Sequence, residues 1–215
     1  AVVDTYDDLQ QILGYLGADA EDDSDDLVEV APETYLTSCW NPTFCRTVIR
    51  AAEAVGAFEQ QEDDPVPGHE VSLAVISPAL FEAFQQDIGT RIWPRLQTVW
   101  PYIDYYGLRD AFVIKYELGG QESLRIHHDV AQVSASMKLN DGYEGGVLEF
   151  PRQDYANTEQ RVGELLVWPS LVTHPHQTTQ LQSGVKYGLT VWFELPVISP
   201  ARGPWGCRHP EKGGR

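Results

Sequence analysis

The chain has 215 residues, 42% of them hydrophobic, with 32 acidic against 15 basic side chains and a net charge of −17. That length suits one globular domain with a substantial core. The charge argues against nucleic acid held by phosphate attraction and against anionic membranes, and no apolar run reaches the roughly 18 residues of a membrane helix.

Residues 1–38 hold 11 acids and no Lys or Arg. They read as an acidic extension, with a lid as one use. A short helix is expected over Thr5–Leu16, and the run Glu21–Asp26 reads as a solvated loop. The opening AVVDTYDDLQ shows no leader pattern. Three cysteines, Cys39, Cys45 and Cys207, make a poor disulfide framework. Free thiols in a reducing, cytoplasmic setting are the expectation.

Residues 39–109 read as a helical support region. Asn41 can cap a helix whose first position suits Pro42, with Phe44, Val48, Val55 and Phe58 at helical spacing. Val71–Ile76 alternates weakly, as a strand would. Ser77 and Pro78 then open a second helix with Leu80, Phe81, Phe84, Ile88 and Ile92 inward, which Pro94 and Pro101 are expected to break into two pieces.

From residue 110 the character changes. DAFVIKYEL, VSASMKLN, GGVLEFP, GELLVWP and YGLTVWFEL are short, β-branched and aromatic, and bounded by turn residues. Close strands without intervening helices predict a mainly β fold over 110–197, a jelly roll or barrel buttressed on one sheet by the N-terminal helices. Residues 198–215 read as an irregular tail.

Four of the six histidines fall in two clusters here, His127–His128–Asp129 and His174–Pro175–His176. On a strand His127 and Asp129 share a face and His128 points away. Two imidazoles and one carboxylate make a facial set suited to Fe(II), with open positions for oxygen and a cosubstrate. Zinc stays open at this point, as does an ordinary surface turn. Lys186, on the otherwise apolar strand VKYGLTVWF, must reach water or meet a buried anion. Gly188, Thr190 and Trp192 share its face.

The pieces VIKYELGGQESLRIHHD, DGYEGGVLEFPR and GELLVWPSLVTHPHQTTQLQSGVKYGLTVWF carry a resemblance. From about Ala111 to Leu195 the chain resembles the Fe(II)/2-oxoglutarate-dependent dioxygenases, especially the prolyl 4-hydroxylase and procollagen-lysyl hydroxylase branch. The resemblance implies a distorted double-stranded β-helix, a cupin-like jelly roll. In that family HxD is followed by a distal histidine and, ten residues on, by Arg or Lys. Lys186 stands ten after His176, whereas His174 would need Gly184. By that match His127, Asp129 and His176 are the iron ligands and Lys186 binds the remote carboxylate of 2-oxoglutarate. Tyr116 would assist the same carboxylate, and Thr190, Trp192, Ser136 and Leu148 would line the pocket. Relatives that halogenate lack the carboxylate of HxD, so Asp129 implies hydroxylation, with Fe(II), 2-oxoglutarate and O2 consumed to succinate and CO2. An amino-acid side chain of lysine or proline type, free or in a peptide, is the implied substrate, and a stand-alone enzyme, as in natural-product biosynthesis, the implied setting. A non-catalytic metal-binding jelly roll and a zinc hydrolase on a cupin-like barrel are the rivals. The first of these would not need Lys186.

Overall fold

The computed structural model describes residues 27–60 and 66–196. The expected helix Thr5–Leu16, the loop Glu21–Asp26, Cys207 and the tail 198–215 lie outside the described residues.

The strands are β1 (Val28–Ala31), β2 (Thr34–Ser38), β3 (Glu70–Ser72), β4 (Leu108–Glu117), β5 (Leu124–His127), β6 (Val133–Lys138), β7 (Glu144–Gly145), β8 (Leu148–Phe150), β9 (Tyr155–Ala156), β10 (Glu164–Pro169), β11 (His176–Thr178), β12 (Leu181–Ser183) and β13 (Val185–Phe193). The major sheet runs β1-β2-β10-β6-β13-β4-β3 and the minor one β5-β11-β8-β9, while β12 pairs with β7. The pairings are antiparallel.

Period-two alternation gives the major sheet two different faces. Ala111, Val113, Val133, Ala135, Met137, Leu165, Val167, Leu189, Val191 and Phe193 face the helices and are buried among Phe44, Val48, Leu80, Phe84, Ile88 and Ile92. Tyr116, Ser136, Lys186, Thr190 and Trp192 fall on the opposite face, which lines a cavity. Leu166 and Trp168 of that face pack on Leu148 and Phe150 of the minor sheet. The fold is thus a jelly roll with helices on the outer face of its larger sheet.

The first helix, α1 (Pro42–Val55), starts as its residues dictate. Asn41 accepts from Phe44 N–H, Pro42 opens the first turn, and Gly56 closes the helix in the left-handed conformation. Phe58 lies beyond that end yet still packs on the core.

Three expectations change. Residues 28–38, assigned to the acidic extension, are the hairpin β1–β2, joined to β10. Their acids Glu29 and Glu33 sit on the exposed side and at the turn, so charge concealed a strand pattern in which Thr34, Tyr35 and Thr37 are buried. Val71–Ile76 divides: the strand ends at Ser72, whose hydroxyl caps α2 (Leu73–Ile76) by accepting from Ala74 N–H. Pro94 does not break its helix. After α3 (Pro78–Asp87) a π turn spans Ile88–Ile92, closed by Trp93 N–H on the Ile88 carbonyl, and α4 (Trp93–Leu96) follows. Pro94 sits in the first turn of this last piece, where a missing N–H matters little. Among the described residues no helix is long and apolar enough to cross a membrane. Cys39 and Cys45 are buried free thiols, each pushed up to about 12 by burial.

Gly163 joins these layers. Its carbonyl accepts from Cys39 and Trp40 N–H, each at 3.0 Å, and its own N–H donates to Lys138 at 2.8 Å. Its φ is +87°, and a β-carbon there would overlap the Trp40 carbonyl. Gly163→Ala is expected to cost at least about 1–3 kcal/mol, which at roughly 2–4 °C per kcal/mol is a clear drop in Tm by thermal unfolding. An unchanged Tm would show that the turn relaxes freely.

Candidate active site

The cavity between the two sheets encloses about 310 Å³. All nine residues singled out from the sequence line it: Tyr116, His127, Asp129, Ser136, Leu148, His176, Lys186, Thr190 and Trp192.

At one part of its wall three donors converge. His127 ends β5 and His176 begins β11, directly paired across the ladder. Their rings stand 4.4 Å apart. Asp129 lies two residues beyond the end of β5, where the alternation persists: His128 is exposed while His127 and Asp129 face the cavity. His127 Nε2 is 3.4 Å from Asp129 Oδ1, and His176 Nε2 is 3.6 Å from Asp129 Oδ2. The three ligand atoms lie within 4.8 Å of one another. His128 is exposed and outside this cluster, although it borders the cavity mouth. His174 is turned away, its ring nitrogens 2.9 Å from Thr173 Oγ1 and 3.1 Å from the Pro32 carbonyl.

The imidazole tautomers follow from their backbone partners. His127 Nδ1 lies 2.8 Å from the Arg125 carbonyl and His176 Nδ1 3.0 Å from that of His174. A carbonyl only accepts, so each Nδ1 carries a proton and each Nε2 is the ring nitrogen turned to the cluster, a metal ligand once it is unprotonated. Asp129 is nearly buried, which would raise its pKa, but bonding from His127, the charge of His176 and bonding from Ser134 outweigh that and lower it. Burial pulls the His176 pKa down, although Asp129 opposes it. Burial would lower the His127 pKa too, but bonding from Asp129 and the Arg125 carbonyl outweighs it and raises it. Two imidazoles and one carboxylate, held together before any ion arrives, fit a divalent iron and leave its remaining positions open.

Elsewhere in the cavity stands Lys186, 8% exposed. It pairs with Tyr116 across β13 and β4, its ammonium lies 4.9 Å from the centre of that ring, and it donates to the Gly146 carbonyl at 2.7 Å. Among the described residues no carboxylate forms an ion pair with it. Burial, with Lys138 nearby, pushes its pKa down to about 7. A buried ammonium lacking an anion, in a cavity with an iron-type donor set, fits one end of a dicarboxylate. The Tyr116 hydroxyl donates to Thr178 Oγ1 at 3.2 Å.

The sequence reading did not single out Ser134, Lys138, Trp168 or Thr178. Ser134 and Lys138 follow from the alternation that places Ser136, while Trp168 and Thr178 reach the cavity only through pairings across the sheets.

Residues 111–194 match the family model of the 2OG-Fe(II) oxygenase superfamily. The chain is 34% identical over 175 residues to mouse procollagen-lysine,2-oxoglutarate 5-dioxygenase 1, covering 75% of this chain and 24% of that protein. Against a Caenorhabditis elegans multifunctional procollagen lysine hydroxylase and glycosyltransferase it is 33% identical over 171 residues, covering 74% and 23%. The chain spans about a quarter of the length of these curated relatives. Among solved structures, a collagen prolyl hydroxylase of Paramecium bursaria Chlorella virus-1 superposes with a TM-score of 0.59 at 16% identity, over 78% of this chain and 100% of that one. A Pseudomonas putida prolyl-4-hydroxylase gives 0.57 at 18% identity, over 90% and 98%. These two likenesses establish the fold. The strand-rich part of the chain, residues 111–194, belongs to the 2OG-Fe(II) oxygenase superfamily. Fe(II), 2-oxoglutarate and O2 are the cofactors of that family, and the His-Asp-His cluster fits the iron.

The buried ammonium has a consequence for stability. Its pKa falls from 10.5 to about 7 on folding. Between those values the unfolded chain binds more protons, so this group makes stability rise with pH, and its burial costs most below about pH 7. Lys186→Met is expected to raise Tm, most at about pH 6, with the gain shrinking towards pH ~10. A gain independent of pH in thermal unfolding would contradict the buried, uncompensated charge.

Proposed function

We propose that the chain is an Fe(II)- and 2-oxoglutarate-dependent hydroxylase acting on an amino-acid side chain of lysine or proline type, free or in a peptide. The observation that carries this is the buried Lys186 ammonium in the same cavity as two imidazoles and a carboxylate. A non-catalytic metal site or a zinc hydrolase has no use for such a cation.

In this reading His127 Nε2, an Asp129 oxygen and His176 Nε2 hold the iron on one face. Lys186 anchors the remote carboxylate of 2-oxoglutarate by a charge-assisted bond, with the Tyr116 ring against its ammonium. Thr190, Ser136, Leu148 and Trp192 line the same cavity, and Trp192 packs edge to face on Phe112 at 5.0 Å. Bound iron, 2-oxoglutarate and O2 supply the oxidising power: one oxygen atom enters the substrate C–H bond as hydroxyl, the other enters succinate, and CO2 leaves. The protein's part is to hold the donors, aim the dicarboxylate and keep water from the reacting carbon. The similarity to procollagen lysyl hydroxylases supports a lysine- or proline-type substrate.

The test is succinate formation by iron-loaded protein in air, followed by a screen of amino acids and peptides for a gain of one oxygen. His176→Ala is expected to abolish turnover and weaken Fe(II) binding, while His174→Ala and His128→Ala keep the metal. Lys186→Ala should raise the 2-oxoglutarate Kd of anaerobic, Mn(II)-loaded protein on the order of 100-fold, the effect of about 3 kcal/mol for losing one partner of a buried charged pair. Iron affinity without 2-oxoglutarate should barely move. Unchanged 2-oxoglutarate affinity in Lys186→Ala would remove the anchor, and an active His176→Ala beside a dead His174→Ala would reverse the ligand assignment.

A further inference from the structure

Behind Asp129 two hydroxyls are locked in the sheet. Ser134 Oγ donates to Asp129 Oδ2 at 2.6 Å, and Ser170 Oγ lies 2.7 Å from Ser134 Oγ. Both serines are fully buried, at 0% exposure. A serine hydroxyl has one proton. That of Ser134 goes to the carboxylate, so Ser134 must accept from Ser170. The chain therefore runs in one direction, from Ser170 through Ser134 to Asp129.

Its surroundings make it strong. Ser134 pairs across the sheet with Trp168 of β10 on one side and Trp192 of β13 on the other. Two indoles flanking a hydroxyl leave little room for competing water, and bonds in a dry chain polarise one another. Ser170 N–H reaches the Gln132 carbonyl at 3.4 Å, which ties the loop after β10 to the segment just beyond Asp129. Asp129 lies past the end of β5, so no ladder bond sets its side-chain angle.

We propose that Ser134 and Ser170 form a positioning relay for Asp129. The relay occupies Oδ2 from the sheet side and fixes the rotation of the carboxylate. Oδ1 then stays directed towards His127 Nε2, at 3.4 Å, for a single-oxygen ligation. The two serines touch neither metal nor substrate. They act through the ligand, and the proposal rests on reading His127, Asp129 and His176 as the metal site.

The test is titration of metal-free protein with Co(II), following both affinity and the visible spectrum of the bound ion. Ser134→Thr keeps the hydroxyl, and Ser134→Val matches its shape without it. Folding of each variant is checked by circular dichroism. Ser134→Val is expected to raise the Co(II) Kd about 10–100-fold and to shift the spectrum. Ser134→Thr should bind with nearly wild-type affinity and spectrum. Ser170→Ala keeps the Ser134–Asp129 bond but removes its support, and should fall between them. Equal affinity and identical spectra for Ser134→Thr and Ser134→Val would overturn the relay. Should position 134 tolerate neither side chain, Ser170→Ala decides: wild-type affinity and spectrum overturn the relay, and weaker binding with a shifted spectrum sustains it. His176→Ala is the control. Wild-type Co(II) binding by that variant would refute the metal site itself, a failure distinct from that of the relay.

Discussion

Lys186 is an ammonium held inside the protein against a carbonyl and an aromatic face, with no anion beside it among the described residues. Such a group opposes folding unless something recovers the cost. Its strand shows how the fold tolerates it. β13 is flanked by β4 along its whole length and by β6 along part of it. Its other face sinks Leu189, Val191 and Phe193 into the helix-backed core. The strand that carries the unfavourable charge is therefore among the most firmly bound in the molecule, and the charge remains available to a ligand.

The donor cluster is prepared by a similar economy. In both histidines the proton on Nδ1 is tied to the carbonyl two residues earlier, Arg125 for one and His174 for the other. The same local device on two paired strands turns both Nε2 atoms towards Asp129. The carboxylate, which lies outside the ladder, is steadied by side chains instead. Backbone fixes the imidazoles and hydroxyls fix the carboxylate, so the cluster is formed before any ligand binds, which lowers the cost of binding.

Much of this was legible in the sequence, and the exceptions have physical reasons. The cap at Asn41, the glycine stop at Gly56 and the alternating runs after residue 110 are local signals, and the structure follows them. The hairpin Val28–Ser38 was hidden because the acid-rich run before it, Glu21–Asp26, coloured the whole segment, although the hairpin itself carries only Glu29 and Glu33. The π turn at Ile88–Ile92 was hidden because it is a shift in backbone bonding that no residue type announces. HxD pointed to two residues that the structure does bring together with His176, with the exposed His128 between them keeping the alternation past the end of the strand. Alternation cannot separate His174 from His176. The structure separates them by turning His174 onto Pro32, a contact 142 positions distant. Ser170 was invisible for the same reason, as its partner lies 36 residues away on another strand.

The central claim is that one small molecule bridges two prepared parts of one cavity, the donor cluster and the buried ammonium. An anaerobic crystal structure of the protein with Mn(II) and 2-oxoglutarate tests it most directly. The expected result is the metal on His127 Nε2, one Asp129 oxygen and His176 Nε2, with the remote carboxylate of 2-oxoglutarate on Lys186 Nζ. A metal held elsewhere, or a bound 2-oxoglutarate whose carboxylate leaves Lys186 without an anion, would contradict it.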